Sequence, residues 1–201
     1  MSPRLQLVIT TVERTLRDVI AKSPEPIESI TPVLIGLEKG SDMAHALVFE
    51  PGGDMHQYLV FAQRIIREEN LTEVALSAEA WAVSETEMRT LPPMDVRTPS
   101  VMEGRREIMT ITATDGDTVW CTTADITRPK HQYTIGPFEE PAEQSNPSGT
   151  SVGAALLASV SRNLEEEDES ARKEQEDRGG ADDDPRPEGD PGPDAGAGEG
   201  A

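Results

Sequence analysis

Three histidines and a single cysteine are the whole stock of imidazole and thiol in this 201-residue chain. His45 and His56 are too far apart to form a metal pair on one helix. The set with most ligand character is Glu50, Asp54 and His56. Two carboxylates and an imidazole in one short stretch suit a divalent cation, and through it a metal-dependent hydrolase. The same spacing also suits a solvated turn followed by a helix cap, because nothing in it imposes a common geometry. Cys121 follows Trp120 in an apolar run. A nucleophilic thiol needs an electropositive, partly open setting and a nearby base, and His131 is separated from it by Arg128-Pro129-Lys130. A small core residue is the simpler role for this cysteine.

No Gly-x-Ser-x-Gly elbow, Walker loop or Gly-x-Gly-x-x-Gly motif occurs. The acidic runs at 165–169 and 182–184 read as solvated charge. The sequence therefore assigns no catalytic residue, cofactor or metal. A net charge of −20 argues against nucleic acid and against anionic membrane surfaces as partners. The N-terminal apolar residues are interrupted by Glu13, Arg14 and Arg17, so no export signal is expected. No run is long and apolar enough for a membrane span, and the expected location is the cytoplasm.

One region carries a resemblance. Glu79-Ala80-Trp81-Ala82-Val83, followed by Pro99-Ser100-Val101-Met102-Glu103-Gly104-Arg105-Arg106-Glu107-Ile108, resembles a family of uncharacterised bacterial and phage proteins. Its shared features are a Glu-Ala-Trp strand, a loop beginning Pro-Ser and an Arg-Glu entry to a hairpin. The likeness covers residues 72–126. Val101-Met102-Glu103 departs from it, since a more polar His-Pro sequence is usual there. No activity accompanies the family.

The segment 84–104 is a Pro-rich connection of a length that usually serves function or stays disordered. It combines Met88, Leu91, Met94, Val101 and Met102 with Arg89, Arg97, Arg105 and Arg106. Methionine-rich surface with arginine suits a protein partner. The candidate interaction surface is accordingly Glu79, Trp81, Met94, Ser100, Met102, Arg105 and Arg106. Arg105 and Arg106 enter a strand together, so their side chains should take opposite faces.

The elements that would position these residues follow from apolar spacing. Leu5, Val8, Ile9, Val12, Leu16, Val19 and Ile20 make one stripe, predicting a helix from Pro3 to Lys22 capped by Ser2. Strands are expected over 32–37 and 44–50. A second helix, capped by Asp54 and running to about Glu69, should bury Met55, Tyr58, Leu59, Ala62, Ile65 and Ile66. A third strand is expected over 71–83. A hairpin of 106–114 and 118–126 follows, turning at Asp115-Gly116-Asp117. A two-residue turn would set Ile111 opposite Trp120 and Met109 opposite Thr122.

The fold class is therefore α+β: a small antiparallel sheet of about five strands with two helices packed on it. This element order resembles that of roadblock and profilin-like domains. All seven aromatic residues precede residue 139. Residues 139–201 carry 18 acidic and 5 basic side chains, against 20 and 13 in residues 1–138. Such composition predicts a domain at 1–138 and a disordered acidic low-complexity tail at 139–201, with a transient helix at 151–165.

The preferred functional expectation is a non-catalytic protein-interaction module that meets a protein partner or associates with itself through a hairpin edge. A metal-dependent enzyme using Glu50, Asp54, His56 or Glu79 is the second. An acidic nucleic-acid mimic acting through the tail is the third.

Overall fold

The computed structural model describes all residues except 42, 51–52, 84–103, 146, 148–150 and 180–201. Side-chain surroundings are also undescribed for 131, 167–168 and 171–179. The chain divides into a unit at Met1–Glu166 and a second at Glu167–Ala201, whose described part, 167–179, is helical.

Helix α1 spans Pro3–Lys22, with Ser2 accepting the Leu5 N–H and Pro3 at its first position. Strands β1 (Val33–Glu38) and β2 (Ala44–Val48) form an antiparallel hairpin. Helix α2 (Met55–Glu68) opens on a capping box in which Asp54 and Gln57 each satisfy the other's backbone N–H. Strands β3 (Leu71–Ala82), β4 (Arg106–Thr114) and β5 (Val119–Thr127) follow. Two short strands, β6 (Thr134–Ile135) and β7 (Ala142–Glu143), both pair with β5, and helix α3 spans Val152–Gly179. Every pairing is antiparallel, in the order β2-β1-β3-β4-β5-β6.

Each sheet face is covered. The α1 stripe (Leu5, Val8, Ile9, Val12, Leu16) is buried on a face built from Val33, Ile35, Ala75, Met109, Ile111 and Ala124. On the other face Ala62 and Ile66 of α2 join Leu156 and Val160 of α3 over Leu34, Val74 and Leu76.

The sequence expectation is corrected at three points. Among the described residues the sheet has seven strands rather than about five, because β6 and β7 pair on the outer side of β5. Packed chain continues through Glu166, so the domain does not end at 138. Leu156 and Val160 are fully buried, and Asn163 donates to the carbonyls of Ile66 (2.9 Å) and Leu71 (3.1 Å). The helix over 151–165 is thus a third packed helix, held by tertiary contacts that its weak intrinsic stripe does not advertise. Finally, the β4–β5 hairpin pairs Thr114 with Val119, Ile111 with Thr122 and Ala113 with Trp120. A type I′ turn needs positive φ at two successive residues, and in this turn only Gly116 has it. Asp115 instead accepts the Thr118 N–H, and Thr114 the Gly116 N–H. The register moves by two residues, which leaves every side chain on its expected face.

Candidate interaction surface

β3 outruns β1 by several residues, and its own side chains take over where the partner strand stops. Ser77 Oγ accepts the Val33 N–H at 3.0 Å. Two residues on, Glu79 Oε1 accepts the Ile30 N–H at 2.6 Å and the Tyr133 hydroxyl at 2.7 Å. Period-two alternation puts both on the α1 side of the sheet. Burial, and then the bond to the Glu79 carboxylate, push the Tyr133 hydroxyl well above the ordinary tyrosine range, so it stays a donor. Arg128 lies over the Tyr133 ring, pairs with the Glu107 carboxylate and donates to the Glu28 carbonyl. This end of the sheet is therefore an interlocked polar network, in which Ile30, Tyr133 and Arg128 each donate to an acceptor.

The sequence candidates divide on this frame. Glu79, Trp81 and Arg105 share one face, the Arg105 guanidinium lying 5.1 Å from the centre of the Trp81 ring. Arg106 takes the opposite face and pairs with Asp125 at 2.9 Å, as the strand alternation required. Met94, Ser100 and Met102 lie outside the described residues. Of the metal candidates, Asp54 is engaged in the capping box and His56 is exposed on the first turn of α2. Glu79 faces Tyr133 instead. Among the described residues no three His, Cys, Asp or Glu side chains converge as a metal site. His45 lies 3.4 Å from the Glu69 carboxylate. Cys121 is half-buried; burial first, then the Glu139 charge, raise its thiol pKa against an opposing hydrogen bond with Thr112. That is the reverse of an activated nucleophile.

The surface that sequence reasoning missed lies along β2. Among the described residues no strand pairs with its outer edge. Ala44, Ala46 and Val48 are exposed, and the strand contains no Asp, Glu, Lys or Arg. Edge strands are ordinarily guarded by charge, proline or a bulge. Beside this edge runs an open cleft of about 580 Å³ lined by Leu47, Val48, Glu50, Tyr58 and Phe61. Val48 is 55% and Phe61 54% exposed, high values for large apolar groups at a cleft wall. A second cleft, of about 620 Å³, shares Gly53 and Tyr58 with the first and continues to Glu28, Ile30 and Glu79. Tyr58 is fixed at the junction: it donates to the Glu50 carbonyl, accepts the Gly53 N–H and packs against Phe49 with ring centres 5.1 Å apart. The available signal was an edge-length strand without charge, followed by a helix whose Val60 and Phe61 lie off its buried Ala62–Ile66 stripe.

Comparison with protein-family models, curated proteins and solved structures gives no match. Among the described residues no helix is long and apolar enough to cross a membrane.

Proposed function

We propose that this chain is a non-catalytic protein-interaction module that receives its partner along β2 and the adjoining clefts. The observation that carries this reading is the β2 edge: a charge-free strand whose outer side no strand pairs with among the described residues, beside exposed Val48 and Phe61. Main-chain groups on such an edge can bind an extended segment, while adjacent apolar residues select its side chains. The residues with chemical potential support the same reading, because they hold structure together. Glu79 secures Ile30 and Tyr133, and Asp54 caps α2.

The test is affinity capture from the native cell with the full chain and two surface variants, Val48→Lys and Phe61→Asp. A partner retained by wild type and by Cys121→Ser, and lost by both surface variants at unchanged melting temperature, is the expected result. Partners indifferent to both variants would place the function elsewhere.

A further inference from the structure

We infer that the paired clefts take an extended partner segment in which apolar and basic side chains alternate. This rests on the interaction-module reading above and adds the chemistry of the partner. Three carboxylates, Glu28, Glu50 and Glu79, line the two clefts, and among the described residues no lysine or arginine lines either. Both described hydrogen bonds to Glu79 end on Oε1. The shared Gly53 and Tyr58 make the apolar and acidic parts one continuous path. An extended chain presents alternate side chains to opposite sides. Laid along β2, its apolar row would turn towards Tyr58 and Phe61 of α2, and its basic row towards the opposite, α1 side of the sheet, where Glu79 lies.

Charge decides between this occupant and a second copy of the chain. Another copy brings its own net charge of −20, and one that paired through its own β2 would bring no lysine or arginine to the three carboxylates. A cationic amphipathic segment answers all of them.

The experiment uses the full chain and two fluorescent blocked heptapeptides, Lys-Val-Lys-Phe-Lys-Val-Lys and its counterpart with glutamate in place of lysine. Fluorescence anisotropy should show binding of the basic peptide alone, weakening as salt is raised. Glu28→Gln/Glu50→Gln should weaken it about tenfold, as should Phe61→Ser, whereas the remote pair Glu140→Gln/Glu165→Gln should not. The substituted carboxylates are exposed, and only the main-chain carbonyls of Glu28 and Glu50 carry described bonds, so the fold should survive. Equal binding by every variant would mean attraction to acidic sequence in general and would overturn the inference. So would binding of neither peptide, or a stable dimer in sedimentation that Val48→Lys dissociates. If the basic peptide fails while the captured cellular partner still depends on Phe61, the surface stands and the assigned chemistry falls. If neither depends on it, both fall.

Discussion

Tyr133 and Ile30 reach the same carboxylate oxygen of Glu79, from β5's flanking chain on one side and from the approach to β1 on the other. One side chain on β3 therefore ties together two segments that share no ladder. Glu79→Ala would leave both donors without a partner, a loss of about 2–4 kcal/mol. Tyr133→Phe removes only one of the two bonds and should cost about 1 kcal/mol. Urea unfolding midpoints would separate these, and equal effects would mean that the Ile30 bond contributes nothing.

The same bond implies a pH dependence. The folded-state pKa of Tyr133 is raised, so above about pH 10 the unfolded chain releases this proton first and stability falls as pH rises. Below that pH the contribution is fully present. Cys121 acts in the same direction, starting near the ordinary thiol range of about 8.5. Alkaline titration of unfolding free energy should give a shallower decline above pH 10 for Tyr133→Phe. An unchanged slope would show that other groups govern alkaline unfolding.

A chain ending at residue 141 should lose its cooperative melt. Removing buried Leu156 and Val160 alone forfeits about 1.5–3 kcal/mol each, a large share of a domain's typical 5–15 kcal/mol. A chain ending at Glu166 should melt within a few degrees of the full chain. Calorimetry of the two fragments checks both outcomes.

Within α3, Asn163 provides a finer test. Asn163→Asp cannot donate to the Ile66 and Leu71 carbonyls and sets a carboxylate beside them, so it should cost more than Asn163→Leu. The expected losses are about 3 and about 1–2 kcal/mol. A reversal of that order would indicate that water serves these carbonyls instead.

Much of this fold was legible because local signals and tertiary packing agree. Ser2-Pro3 and a regular stripe mark α1, Asp54 and Gln57 mark the start of α2, and the β-branched run at 106–114 marks β4. A helix at 151–165 was expected, but its packing was not legible, because Gly153, Ala154 and Ala155 dilute its apolar face. Gly153 is what the close approach requires: a Cβ there would come within 2.7 Å of Val119. Gly116 is similar, since its positive φ was expected for a turn, while the helix crossing above it was not. A Cβ there would meet Leu164 at 2.5 Å. Of the candidate surface, sequence placed Arg105 and Arg106 on opposite faces but missed the β2 groove. The signal available there, a short strand without charge, does not by itself tell an edge strand from one that a neighbour covers.

The two rims of the sheet are not alike. Outside β5, the segments bearing β6 and β7 occupy the main chain, with Gly136, Glu139 and Gln144 donating to Asp125, Thr123 and Val119. Outside β2 the described chain offers no such cover. Among the described residues this leaves one long receptive rim, and a strand added there, as proposed, would occupy it. Growth into fibrils needs a donor rim as well as an acceptor rim, so if β2 recruits a strand as proposed, the described strands supply only one half of what a fibril would need.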